Sequence, residues 1–461
     1  MNSIIKKYWI DYNKKSKRIQ KPMDRRIYFP FLNIVLLFIF IIPGYGKIIN
    51  VCDFGAKGDG VTDNTPYFQQ ALDSLKEKGG IVFVPSGHYL VNGTLTVPPG
   101  VTLEGTFRNA PPRSLAGSVL LAVFGKGKPD EKPFIMLNTN STICGLVIHY
   151  PEQIAANPPL PYPWTIRGHG DNCSIKNCLL VNSYQAVDFG TYPCGRHHID
   201  GLYGRPLYRG LYIDKCFDVG RVSNVHFWPF WESQSRELRT FQEKNAAAFI
   251  IGRTDWQYML NCFCLWYAIG YQFITSPEKG TGSGNVMLTN CGSDLGPTAI
   301  KVEEVQNHAG ISFVNSQFMG AVILENTNHG PVKFTSCGFW GVERANALVY
   351  NRNSGRTAFS NCQFYWWDRN TDGYPAILSQ NGDLTVMGCE FGDVGKIGIF
   401  LSKGIRTAVI TGNTFRSKKA IINKAKKRTR SKNNAFSYLP GRIPRFPDKK
   451  KLKQKIKEWN R

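Results

Sequence analysis

The sequence predicts an all-β chain wound as a single-stranded, right-handed parallel β-helix, with one capping helix at its N-terminal end. Three observations predict it. A short unit recurs along the chain, β-branched and aromatic residues fill the segments between recurrences, and 461 residues that are 42% hydrophobic can build one long core. The unit is a β-rich stretch, then Asn, Gly or Ser as an anchor, then commonly Cys, then an apolar residue, as in SIKNCLL, YMLNCFC, KFTSCGF and TVMGCEF. Its anchors are Gly145, Asn177, Gly201, Asn224, Asn261, Asn290, Asn315, Ser336, Asn361, Gly388 and Gly412, spaced 21 to 37 residues apart and commonly close to 24. That period is too long for a heptad and too irregular for collagen. It suits one solenoid coil plus variable loops.

Taken in chain order, residues 1–46 begin basic, run apolar from Phe29 through Pro43 and end in Gly44-Tyr45-Gly46. This is the order of a signal peptide, with Met23 as an alternative start. A single anchoring helix is the competing reading, but Pro30 and Pro43 interrupt the uncharged run. The expectation is therefore export with cleavage, leaving no membrane span and placing the chain outside the cell, in a periplasm or on a surface. Asp63 through Lys78 offers an N-cap candidate, helical apolar spacing at Phe68, Leu72 and Leu75, and late lysines, so it predicts the capping helix.

Residues 47–415 are expected to form the coils. Between anchors lies a second β-rich strand such as AAFII, AIKV or GIFL, and Val, Ile, Phe and Tyr dominate as strand positions demand. Stacked coils align equivalent positions, so the anchor Asn side chains can bond along their own column, which is a structural task. Cys178, Cys262, Cys291, Cys337, Cys362 and Cys389 all follow an anchor and read as small buried hydrophobes in one column. No CxxC pair is present and Cys262-Phe263-Cys264 lacks a second pair, so no structural metal is expected. Residues 416–461 are expected to be a basic, flexible tail, with attachment to an anionic polymer as the sharper alternative.

The formal charge of +24 invites a nucleic-acid reading until it is divided along the chain. Residues 1–46 carry nine Lys/Arg against two acids and residues 416–461 carry eighteen against two, which leaves +1 between them. The folded body is nearly neutral, and no nucleic-acid partner is expected.

The stretch IINVCDFGAKGDGVTDNTPYFQQALDSL, followed by GGIVFVPSGHYLVNGTLTVPPGVTLEGT, resembles the opening of the pectate-lyase-like superfamily, in its rhamnogalacturonase/epimerase-type, glycoside-hydrolase-related β-helix domain. The motif resemblance covers residues 48–105 and the coil pattern extends it to about residue 415. It implies the β-helix fold and a polysaccharide partner, in a superfamily that spans hydrolases, lyases, epimerases and phage tailspikes, so the reaction has to be argued from the site. Asp53, Gly55, Asp59, Gly60 and Asp63 within it read as turn and cap positions. The polygalacturonase-type motifs are not carried over. Asn370-Thr371-Asp372 and Gly168-His169-Gly170 occur in reversed order, with no Asp-Asp or Arg-Ile-Lys to join them.

Alignment of the coils puts the turns before each anchor strand in one edge column, from residues 190–198 to residues 326–330, and its early members are charged and aromatic. Asp218 and Asp255 close that turn on consecutive coils and can supply the paired carboxylates of glycoside hydrolysis, with Asp214 and Glu232 as further acids. The competing reading is turn-capping. Arg253 and Trp256 can orient and stack a sugar, or form a surface ion pair beside a packed indole. The longest insertion, HFWPFWE followed by a polar loop to Asn245, offers Trp231 as a platform beside Glu232, with Trp228 as a packing residue. His197 is a candidate general acid or base, and Arg205, Tyr208 and Arg209 are candidate substrate contacts.

The expected function is a secreted carbohydrate-active enzyme, a glycoside hydrolase without cofactor. A uronate lyase, in which calcium would assist, and a non-catalytic carbohydrate-binding protein are the alternatives.

Overall fold

A computed structural model describes residues 47–108, 115–229, 235–343, 345–437 and 449–460. The described strands join one sheet of 38, with each strand between the end coils paired in parallel to its equivalents one coil before and one coil after. The architecture is a right-handed parallel β-helix.

Each coil has three faces. In one central coil, face A is Ala247–Ile251, face B is Thr254–Leu260, Asn261 is the anchor, and face C is Phe263–Leu265. All eleven anchors are left-handed, from φ 48° at Asn177 to 74° at Gly201. This backbone bends face B into face C, and it explains the residue choice, because Gly and Asn enter the left-handed region at least cost. The Asn amides bond along the column: Asn261 Nδ2 donates to Asn224 Oδ1 (3.1 Å) and Asn315 Nδ2 to Asn290 Oδ1 (2.7 Å). The cysteines that follow the anchors are buried free thiols, packed as small apolar groups.

One core of inward-facing residues runs from Ile49 to Ala425. Each inward side chain meets its equivalents on neighbouring coils at the strand spacing, so like side chains stack. Phe339, Phe364, Phe391 and Phe415 lie ring on ring at 5.0, 4.7 and 4.6 Å.

The N-terminal helix spans Thr65–Ser74, shorter than the expected run, with Pro66 in its first turn. Asp63 Oδ1 accepts from the Thr65 amide (3.0 Å) just ahead of it, and Phe68, Leu72 and Leu75 enter the core. In the opening motif, Asp59 Oδ1 accepts from the Val61 and Thr62 amides at 3.0 and 2.9 Å, a local turn bond.

Two segments differ from expectation. The polar loop expected before Asn245 folds in part as a helix, Arg236–Asn245, capped by Ser235 Oγ accepting from the Leu238 amide (3.3 Å). Leu238, Phe241 and Gln242 form its buried face. The expected boundary at residue 415 falls inside the coils: Ile421–Asn423, Thr429–Lys432 and Ala435–Phe436 add a further rung with its own left-handed Asn433, and Phe436 stacks on Phe415 at 5.4 Å. Beyond it, the helix Lys449–Trp459 seats Leu452, Ile456 and Trp459 against Phe400, Leu378 and Ile422 on outer face A. Burial of this apolar strip orders a segment whose composition is that of a solvated tail. No described helix is long and apolar enough to cross a membrane, and the expected export segment lies outside the described residues.

Candidate functional site

The edge where face A turns into face B carries Asp171, Arg196, Asp218, Arg253 and Asp255. Strand Cys216–Phe227 pairs with Thr254–Leu260, Cys216 opposite Thr254 and Val219 opposite Trp256, so Phe217 and Asp218 share the single opposing residue Asp255. That is a β-bulge, and Asp218 takes the extra residue's strain at φ 65°. The bulge puts two carboxylate residues side by side on adjacent coils. Asp218 faces solvent, and Arg196 Nη1 lies 3.4 Å from its Oδ2 while Arg196 Nη2 holds Asp171 Oδ2 at 2.6 Å. Asp255 is half-buried, its Oδ1 shielded from water and without a hydrogen-bond partner among the described residues.

Alternation from Trp256 to Leu260 sends Gln257 and Met259 inward and Trp256, Tyr258 and Leu260 outward. Trp256 is 40% exposed and Tyr258 37%, their rings edge to face at 6.3 Å. Phe217, also exposed, lies under the Arg253 guanidinium at 5.3 Å. Arg253 Nη1 also donates to the Thr254 carbonyl. The result is a solvent-facing aromatic strip beside the two carboxylates. Phe217 and Tyr258 complete it and were not among the residues expected from sequence, although the period-two parity that exposes Tyr258 with Trp256 is readable there.

Several expected site residues have structural work instead. Asp214 is buried, and its carboxylate accepts from the Lys215 and Arg253 amides (2.9 and 2.6 Å), the Ser276 hydroxyl (2.8 Å) and the Tyr212 hydroxyl (3.2 Å). It joins three coils and has no room for a substrate, since even a Cβ at Gly252 would come within 2.5 Å of it. His197 is fully buried against Phe189, its Nδ1 bonded to the Cys194 carbonyl at 2.9 Å, and burial pushes its imidazole down to about 4. Arg205 is buried, its Nε donating to Gln242 Oε1 (2.7 Å) to hold the helix Arg236–Asn245. Tyr208 stacks on Tyr184 at 5.1 Å and under the Arg209 guanidinium at 4.4 Å, beside Phe241 of the same helix. Arg209 opens its face A strand, at the end opposite Asp214, so this stack stands apart from the carboxylate edge. Trp231 and Glu232 lie outside the described residues. Trp228 packs on Trp266 at 6.5 Å.

Face C carries a second feature that sequence reasoning missed, a cleft of about 620 Å³ between Phe263 and Trp340 with Asp294 in its wall. Burial raises the Asp294 carboxyl above its usual range.

Residues 48–132 match the family described as rhamnogalacturonase A/epimerase, pectate lyase-like. The match covers the opening of the chain, and with the coil geometry it marks a right-handed β-helix of the pectate-lyase-like kind. Among curated relatives of this β-helix is a glucan 1,3-beta-glucosidase of Cochliobolus carbonum, 35% identical over 220 residues, covering 40% of this chain and 27% of that protein. Another is the mannuronan C5-epimerase AlgE1 of Azotobacter vinelandii, 51% identical over 45 residues, 10% of this chain and 3% of that protein. The matched part of the β-helix thus spans about a quarter of the first relative's length and far less of the second. Among solved structures, the N-terminal fragment of bacteriophage phi29 gene product 12 superposes with a TM-score of 0.54 at 12% identity, over 85% of this chain and 70% of that one, which is a likeness of fold.

Proposed function

We propose that this β-helix cleaves a polysaccharide by hydrolysis at the A–B edge, with Asp218 and Asp255 as the acid pair and Phe217, Trp256 and Tyr258 as sugar-contacting rings. The observation that carries this is the bulge that sets both carboxylates on adjacent coils beside exposed aromatic side chains. Aromatic rings offer large apolar area to the C–H faces of a sugar. Glycoside hydrolysis needs one carboxyl to protonate the leaving oxygen and a second to attack the sugar carbon or activate water. Asp255, with one oxygen shielded from water, takes the proton-donor part; Asp218, open to solvent, faces the sugar carbon. The names of the glucosidase and epimerase relatives support a carbohydrate polymer as substrate. Export to meet that polymer belongs to the same reading.

Asp218→Asn and Asp255→Asn should each lower kcat on the responsive polymer by about 10²–10⁴-fold, the usual contribution of an acid–base group, with an unchanged melting temperature. Full activity in either variant would remove that residue from the pair. The lyase alternative has less support, because both arginines available as base are engaged: Arg196 by Asp171 and Asp218, Arg253 by the Thr254 carbonyl and the Phe217 ring. An unsaturated, ultraviolet-absorbing product lost on chelation would favour it instead.

A further inference from the structure

The face C cleft lies across the anchor column from the A–B edge and has its own construction. Phe263, Gly292, Gln317 and Gly338 occupy one outward column on four successive coils. The two glycines leave alternate coils without side chains, and the neighbours lean over the gaps. A Cβ at Gly292 would come within 2.8 Å of the Phe263 ring, and one at Gly338 within 2.1 Å of Gln317 Oε1. The Phe263 and Gln317 side chains thus lie over the glycine backbone, and the cleft runs from Phe263 at one end to Trp340 at the other. The aromatic wall continues past Phe263, which meets His226 edge to face at 5.1 Å and Trp228 at 6.4 Å.

The polar groups of the cleft are amides and one carboxyl. Asn290 and Asn315 of the anchor column line its rim with Gln317, and Asp294, beside Leu265 in the next column, lines its wall. Asp294 Oδ1 is shielded from solvent and has no hydrogen-bond partner among the described residues. A buried oxygen of this kind costs free energy until a ligand hydroxyl meets it. Among the described residues, no Lys, Arg or His lines the cleft.

We infer that this cleft binds a neutral oligosaccharide, as a site separate from the proposed acid pair. The chemistry is complementary in each part. Two aromatic walls suit the apolar faces of pyranose rings, amides and a carboxyl suit hydroxyls, and the Asp294 carboxyl in the wall disfavours a uronate or sulfate. The volume lies within the range of ligand-sized clefts, about 300–1,000 Å³. A polymer held here and cleaved at the A–B edge would be anchored on two faces of one body.

The test is calorimetric titration of the purified chain with neutral hexasaccharides of glucose, mannose and xylose, and with hexagalacturonate and hexamannuronate as acidic probes. Saturable binding of a neutral probe is expected, weakened about tenfold or more by Trp340→Ala and severalfold by Asp294→Ala. Met387→Ala, exposed on a later coil and outside both sites, should leave it unchanged, and the Trp340→Ala loss should persist in a Trp256→Ala background, which separates this cleft from the A–B edge. Should Trp340→Ala lower the melting temperature, the exposed Gln317→Ala takes its place, with severalfold weaker binding expected. Binding confined to the acidic probes, no neutral binding, or unaltered affinity in the cleft variants would overturn the inference. Turnover by the Asp218 and Asp255 variants reports separately on the hydrolase reading.

Discussion

His197 shows how one side chain's surroundings decide its role. A Cβ on Gly220 would sit 2.6 Å from the imidazole, the Cys194 carbonyl holds Nδ1, and burial favours the neutral ring. Its folded pKa, about 4, lies below the ordinary 6.5. Between those values the unfolded chain takes up a proton that the folded chain does not, so stability is full above pH 6.5 and falls as the pH drops toward 4. The loss amounts to about 3 kcal/mol. Wild-type denaturation midpoints should therefore decline more steeply from pH 7 to pH 4 than those of His197→Gln; parallel declines would contradict this. Sequence reading went astray at His197 and Asp214 for one reason. Both sit in turns, where residue type is visible but the packing of the next coil is not. Asp214 is buried because Arg253 and Ser276, 39 and 62 residues later, fold back onto it. Asp218 and Asp255, by contrast, were readable as neighbours from coil alignment alone, though the bulge that sets them abreast was not.

Among the elements, the stacked strands of face C make the clearest stability claim. Phe364 is fully buried between Phe339 and Phe391, so truncation leaves a cavity that neighbouring coils cannot close without breaking register. Phe364→Ala should cost about 3–5 kcal/mol in chemical denaturation, and Phe436→Ala, exposed at the end of the stack, well under that. Equal costs would show that the stack does not act as a unit. These strands were legible because each follows an anchor whose left-handed conformation selects Asn or Gly. The helix Lys449–Trp459 was not, although Leu452, Ile456 and Trp459 recur at helical spacing; the run of lysines around them masks the pattern. The Asp294 cleft was not legible because Gly292 in its lining carries no chemistry and matters only for the space it leaves.

For the molecule as a whole, one continuous core places the interest on the outer faces. The A–B edge gathers carboxylates and exposed rings, face C holds a cleft walled by Phe263, Trp340 and Asp294, and the last described coil carries exposed Arg428, Arg430 and Lys432. The fold was readable almost coil by coil from the anchors, whereas the chemistry depended on insertions and turns whose packing partners are distant in sequence. The most direct measurement is mass analysis of products after incubating the purified chain with a polysaccharide panel in heavy-oxygen water. The account predicts oligosaccharides that have gained one water, labelled at the newly formed end, without near-ultraviolet absorbance, and lost with Asp255→Asn. An unlabelled, unsaturated product, or intact polymer across the panel, would contradict it.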